Sequence, residues 1–244
     1  MKVYGEPTRS IRSLDNGTAV EIVDQTLLPY RFEKRVLGDW RDCVEAIRTM
    51  RVRGAPLIGI TGAWAVVLAV KENPENDALL KAAEVIANAR PTAVNLSWAV
   101  RRMMSTLLPR DPALRFEAAV KTAEAMTQED VMTCRAIGEA GMTLISDLYA
   151  RLRRPVNVLT HCNAGWLATV DYGTAMMHRF FLILLLQIRF RLGLTLRCTS
   201  GSMKPVPATR AFSRPGSSAS TACPTRSSPT MRAASSCNSA TSIS

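Results

Sequence analysis

The stretch RGAPLIGITGAWAVVLAVKE, Arg53 to Glu72, decides how this chain is organised. Apolar residues cover nearly every side of it, and a helix that is hydrophobic all round belongs in the middle of a core. Pro56 suits the first helical turn, where its missing N–H costs no intrahelical bond. Gly59, Gly62 and Ala63 are small, so another element can approach the helix closely. The pattern predicts a central buried helix with an Arg-Gly-Ala turn, Arg53 to Ala55, at its start.

Upstream, MKVYGEPTRSIRSLDNGTAVEIVDQTLLP (Met1 to Pro29) holds short alternating runs, with Ala19, Glu21 and Asp24 opposite Val20, Ile22 and Val23. Asn16-Gly17 sits just ahead of them, and Asn-Gly is a strong hairpin signal, so a small antiparallel unit is predicted. From Asp39 the period changes, and Val44, Ile47 and Met50 fit one helix face. Further helices are predicted over Ala78 to Ala89, Thr92 to Leu107, Arg115 to Ala125 and Thr127 to Leu152. Thr127 with Asp130 resembles a capping box. Ile137, Gly141, Leu144, Ile145 and Leu148 form one apolar stripe. Arg151 to Arg154 and Pro155 stop that helix, with cations where the helix dipole favours them. PVNVLTH (Pro155 to His161) then reads as a buried strand, CNAG (Cys162 to Gly165) as a tight turn and WLATVDYGTA (Trp166 to Ala175) as the next helix. Helix, strand, Gly turn and helix in that order open an α/β domain.

The net charge of +11 is unevenly spread. Met1 to Ala175 holds all 20 acidic residues and 22 of the 31 Lys and Arg, a balance of +2. The remaining +9 lies in Met176 to Ser244, which has no Asp or Glu. From Cys198 onward Ser, Thr, Pro and Arg dominate without periodicity, and this tail is expected to be irregular or disordered. Its cations are scattered among serines, with only Phe212 after Phe190, which argues against a nucleic-acid arm. FFLILLL (Phe180 to Leu186) is closely followed by Arg189 and Arg191 and falls short of the ~20 residues of a membrane helix. The N-terminus is polar and charged, unlike a secretory signal. The 6 cysteines form no CxxC pair and only 2 histidines accompany them, so reduced thiols in a cytoplasmic protein, without a zinc site, are expected.

Three places can carry chemistry. The Cys162 turn stands where a strand runs into a helix, the position at which open α/β sheets bind ligands. Free N–H groups at Ala164 and Gly165 would favour an anion there, and thiolate over thiol at Cys162. His161 is a poor partner, because neighbouring strand residues point to opposite faces. On spacing alone, a reactive thiol and an inert buried cysteine are equally good readings. VRGAP (Val52 to Pro56) puts a cation and two small residues before a helix start, as a phosphate cradle does, although no P-loop Gly-Lys-Ser/Thr follows. ARPTAVNLSWA (Ala89 to Ala99) repeats the theme at Arg90, with Asn95 one turn in. The bland alternatives are a surface arginine before a core helix and an ordinary N-cap.

Taken together, VRGAPLIGITGAW, RPTAVNL and LTHCNAGWLATVDYGTA resemble, in order and spacing, the methylthioribose-1-phosphate isomerases, and the opening MKVYGEPTRSI…VEIVDQTLLP fits as well. The Arg-Gly-Ala-Pro motif is shared with ribose-1,5-bisphosphate isomerases and with the regulatory subunits of eukaryotic initiation factor 2B. The resemblance covers Met1 to Ala175. It implies an aldose–ketose isomerase of methionine salvage that acts on a phosphorylated sugar without metal or cofactor. The implied fold is a mainly helical N-terminal domain with a small sheet (1–125), then the start of a Rossmann-like domain (126–175), in a protein that is usually dimeric. Carried over by residue, Arg53, Gly54, Ala55 and Arg90 would hold the phosphate. Cys162 would be the catalytic thiol, and Asn163, Ala164 and Gly165 would shape its turn. A non-catalytic interaction subunit of the initiation-factor type is the alternative.

The chain departs from that pattern after Ala175. Moving a proton between neighbouring carbons needs a positioned acid and base. The family's aspartate in a GTDR stretch and its Gln in an NQGA stretch are both missing here, so little or no turnover is expected of the chain as written. The family continues with text resembling VHVWVDETRPRNQG. One DNA encoding of that, read one base later, translates to CTSGSMKPVPATRA, the residues from Cys198 to Ala211. The expectation is that 176–244 is a frameshifted tail outside the family, and that a chain lacking the rest of its second domain is unstable. DNA sequencing through codon 176 tests it.

Overall fold

The computed structural model describes residues 1–154, 156 and 165–174. The strand expected over Pro155 to His161, the Cys162 turn and the tail lie largely or wholly outside these residues. What is described is mostly helical, with two small antiparallel sheets.

The chain opens with a two-stranded ladder, β1 (Lys2–Val3) and β2 (Glu6–Pro7), too short to show a period in the sequence. A three-stranded antiparallel sheet follows: β3 (Ile11–Leu14), β4 (Ala19–Val23) and β5 (Lys34–Leu37), in that spatial order. Ile11 pairs with Ile22, and Val20 with both Ser13 and Leu37. Ile11, Val20, Ile22 and Leu37 are buried and form the sheet's inner face. The turn between β3 and β4 is a single 3-10 turn, Asp15–Gly17, in which Asn16 (φ 55°) and Gly17 (φ 88°) take the left-handed conformations that Asn-Gly supplies. The hairpin prediction therefore holds, while β5 was not anticipated.

Five helices enclose the core: α1 (Trp40–Arg48), α2 (Ala55–Glu72), α3 (Asn76–Ala87), α4 (Val94–Leu107) and α5 (Pro112–Leu152). Every residue of α2 from Leu57 to Val70 is buried, and α1, α3, α4 and α5 all pack on it. By length and composition α2 could cross a membrane, but 78% of it is buried inside this protein. It is the core helix that its all-round apolar sequence predicts. Its small residues do what their size allows. A Cβ on Gly59 would sit 3.0 Å from the backbone oxygen of Asn95, and one on Gly62 would sit 2.3 Å from Leu96 Cδ1. The glycines thus let the first turn of α4 lie directly on α2.

Two expectations fail on α5 and beyond. The sequence divides 115–152 into two helices with Thr127 as the second N-cap. The structure has one helix of 41 residues, Pro112–Leu152. Thr127 is buried within it: its hydroxyl donates to Ala123 O at 2.7 Å and accepts from the indole N–H of Trp64 at 3.1 Å. A buried Trp N–H needs an acceptor, and Thr127 supplies it from inside the helix. The stripe on α5 also differs from expectation. Ile145 is buried with Val156, whereas Ile137, Leu144 and Leu148 are exposed.

The second failure is the helix expected over Trp166 to Ala175. Only Trp166–Ala168 is helical, as one 3-10 turn. Thr169 is extended, and Tyr172 (φ 66°) and Gly173 (φ 86°) are left-handed. The apolar spacing suggests a helix, but the backbone of this segment is bonded to distant parts of the chain instead.

Candidate functional site

The Arg-Gly-Ala turn enters α2 through Gly54, whose φ of 95° and ψ of 136° are open to glycine and strained for other residues. No side chain caps this helix end, and Ala55 is exposed. Pro56 brings no N–H of its own, so one of the four unpaired donors of this helix end is absent. Arg53 is half-buried. Among the described residues its guanidinium makes no ion pair or hydrogen bond, whereas Arg12, Arg31, Arg35, Arg41 and Arg51 are all paired with carboxylates.

The Arg90 turn is built in the same way. Ala93 N donates to Arg90 O at 2.9 Å and closes the turn, and α4 begins at Val94 without a side-chain cap. Arg90 is half-buried and also lacks an ion pair among the described residues. The backbone oxygen of Asn95 lies against Gly59, so the first turn of α4 sits one turn along from the start of α2. Each of these helix N-termini is without a side-chain cap and is preceded by an arginine that has no carboxylate partner among the described residues, the kind of position at which anions bind. Among the described residues no group of three or more His, Cys, Asp and Glu converges as metal ligands.

The third element is Gly165 to Thr174. Gly165 (φ 112°) is the one residue of the cysteine motif that is described; Cys162, Asn163 and Ala164 lie outside the described residues. The segment is tied down along its length. Ser10 Oγ donates to Trp166 O at 3.0 Å, Gln25 Nε2 to Leu167 O at 2.7 Å and Ser10 N to Val170 O at 3.0 Å. The Met1 ammonium pairs with Asp171. From α5, the Asp130 carboxylate accepts from Val170 N at 2.8 Å. Thr169 and Val170 are fully buried as a result. Gly54 completes the assembly, since a Cβ there would lie 2.5 Å from Cα, Cβ and O of Ala168. The Arg53 turn and the 3-10 turn after the cysteine motif are therefore in direct backbone contact.

Asp130 corrects the sequence reading of a capping box: it faces Val170, not the start of a helix. Burial pushes its carboxyl above the ordinary range, and the Val170 N–H offsets only part of that. Cys134, one turn on, is buried beside Thr169 and Gly173, and burial with the nearby Asp130 charge raises its thiol to about 11. Cys43 is raised further, again by burial, so both thiols are inert. A carboxylate whose folded pKa is raised contributes most to stability below its unfolded value near ~3.9, and loses that contribution as pH rises through the folded value. Asp130→Asn keeps an acceptor for Val170 N and removes the buried charge. The variant is expected to match the wild type near pH 4 and to exceed it in stability at pH 7.5, measured by denaturant unfolding at both pH values. Lower stability than the wild type at pH 7.5 counts against this account.

Ser10, Gln25 and Asp130 are the residues that sequence reasoning missed as organisers of the site. Their partners are 156, 142 and 40 residues away in the chain. No local pattern announces such contacts.

Comparison with known proteins places the chain among relatives. A family model described as the Initiation factor 2 subunit family matches residues 51–185. A methylthioribose-1-phosphate isomerase of Methylobacterium nodulans is 51% identical over 176 residues, covering 72% of this chain and 48% of that protein. The crystal structure of 5-methylthioribose 1-phosphate isomerase from Pyrococcus horikoshii superposes with a TM-score of 0.61 at 30% identity, over 72% of this chain and 49% of that one. Subunit delta of the translation initiation factor eIF-2B from A. fulgidus does so with a TM-score of 0.62 at 32% identity, over 78% of this chain and 54% of that one. The chain spans about half the length of the curated relatives it matches. The matched region begins just before the Arg53 turn and takes in the Arg90 turn, the cysteine motif and the segment packed on Gly54, and on that evidence this chain belongs to the Initiation factor 2 subunit family.

Proposed function

We propose that this chain carries the phosphate-binding part of an aldose–ketose isomerase that converts 5-methylthioribose 1-phosphate to 5-methylthioribulose 1-phosphate. Relatives 48–51% identical to this chain bear the name of that activity. The observation that carries the reading is the seating of the Arg53 turn on the segment that leaves the cysteine motif, through Gly54 and Ala168. In this reading Arg53 and Arg90 hold the phosphate by charge-assisted hydrogen bonds, helped by Gly54, Ala55 and the two helix dipoles. Cys162 is the catalytic thiol that serves the proton shift between neighbouring carbons, and Asn163, Ala164 and Gly165 shape its turn. A Rossmann-like second domain, pairing into a dimer and a cytoplasmic location belong to the same proposal.

Calorimetric titration with 5-methylthioribose 1-phosphate and with inorganic phosphate tests it. Losing one charge-assisted contact costs roughly 1.5–3 kcal/mol. Arg53→Ala is therefore expected to weaken both ligands by about 10- to 100-fold. A wild-type chain that binds neither ligand, or an Arg53→Ala variant that binds both unchanged, overturns the assignment.

A further inference from the structure

The Arg53 turn and the Gly165 segment belong to parts of the chain more than 100 residues apart, and one residue, Gln25, bonds to both. The backbone N–H of Gln25 donates to Arg51 O at 2.9 Å, two residues ahead of Arg53. The Gln25 side-chain amide donates to Leu167 O at 2.7 Å, two residues after Gly165. The neighbouring Asp24 holds the same turn, which follows β4. Its buried carboxylate accepts from Thr26 N at 3.0 Å and from the Thr26 hydroxyl, and pairs with Arg35 at 3.4 Å and Arg51 at 3.7 Å. Arg51 in turn reaches Glu45 on α1 at 2.9 Å. Burial alone would push the Asp24 carboxyl up, but the Thr26 hydrogen bonds and the Arg35 charge outweigh it and hold the group below the ordinary range. The turn after β4 on which Gln25 stands is thus firmly anchored.

We infer that Gln25 is a positioning residue that sets the spacing between the Arg53-Gly54-Ala55 turn and the segment beginning at Gly165. The inference rests on the proposed sugar-phosphate site. Gly54 supplies the van der Waals contact between the two limbs, at Ala168. Gln25 supplies the directional bond one residue earlier, at Leu167, and so fixes the register in which they meet. A ligand that touches only the Arg53 turn does not depend on that register. A sugar phosphate that spans the turn and the Gly165 limb does.

The test uses the whole chain and two probes, inorganic phosphate and 5-methylthioribose 1-phosphate. Gln25→Met keeps length and packing but removes the side-chain donor, and Gln25→Ala removes both. A positioning hydrogen bond that is lost is worth up to about tenfold in affinity. Both variants are expected to bind inorganic phosphate within about twofold of the wild type, and the sugar phosphate about tenfold more weakly. A purely structural role scales both affinities by the same folded fraction, so the ratio of the two affinities separates the roles. An unchanged ratio in Gln25→Met, at whatever thermal midpoint, overturns the inference alone. A wild-type chain that binds neither probe overturns the phosphate site and this inference with it. Should Gln25→Ala fail to fold, Gln25→Met still decides.

Discussion

Gly54→Ala is expected to lower the unfolding free energy by about 3–5 kcal/mol, because two independent penalties meet at one Cβ. The backbone stands at φ 95° and ψ 136°, where a non-glycine residue costs roughly 1–3 kcal/mol. The added carbon would also lie 2.5 Å from the backbone of Ala168, which cannot swing away as the tip of a flexible side chain can. Overpacking of this kind costs about 1–3 kcal/mol more. For a chain of this size the thermal midpoint should fall by about 10 °C. Gly38→Ala is the control, since a Cβ there meets nothing within 4 Å. Its effect should stay within about 0.5 kcal/mol. If both variants melt with the wild type, Gly54 does not hold the Arg53 turn on the Trp166–Ala168 turn. The same variant should lose sugar-phosphate binding out of proportion to its unfolded fraction, because the turn that carries Arg53 must move to relieve the clash.

The second large effect lies away from the site. Arg115 is a buried cation whose guanidinium donates to three backbone carbonyls: Arg110 O at 3.0 Å, Leu108 O at 3.2 Å and Pro74 O. One side chain thereby ties the α2–α3 connection to the turn between α4 and α5. Removing it takes the donor from three partly shielded carbonyls, on half-buried Pro74 and Leu108 and exposed Arg110, at roughly 1–3 kcal/mol for each that water cannot reach. Arg115→Met preserves the stem's packing and is expected to cost about 2–4 kcal/mol, read as a lower denaturant midpoint with an unchanged slope. Arg115→Lys keeps the charge but not the fork, and should recover only part of the loss. A loss below about 0.5 kcal/mol in Arg115→Met would show that water reaches these carbonyls after all.

The site was partly legible from residue types. Arg53 and Arg90 each precede a helix, and both helix starts lie within a residue or two of the predicted positions. How the two helix starts lie relative to each other was not legible, because it depends on how α4 crosses α2 at Gly59 and Gly62. The small residues marked where a close approach was allowed, but not what would approach. Asn95 and Leu96 occupy those places, and that choice is made across the core. Asp130 shows the opposite case. Its spacing from Thr127 matched a capping box, yet both residues bond elsewhere, to Val170 and Trp64. A short polar side chain can cap a local N–H or satisfy a distant one at similar energy, so local pattern cannot choose between them.

By itself the sequence determined the elements whose energetics are local. The all-apolar run of α2 had to be buried, Asn16-Gly17 had to turn the chain between two alternating strands, and Pro56 had to open a helix. Each follows from hydrophobic periodicity or from backbone sterics within a few residues. Only the tertiary structure decided that α5 runs unbroken through Thr127, that Trp166 to Thr174 leaves the helix its spacing suggests, and that Gln25 and Gly54 hold that segment against the Arg53 turn. Those outcomes turn on buried donors and acceptors, which must be paired wherever the fold brings them together. Their partners stand 40 to 156 residues away, beyond the reach of any local pattern.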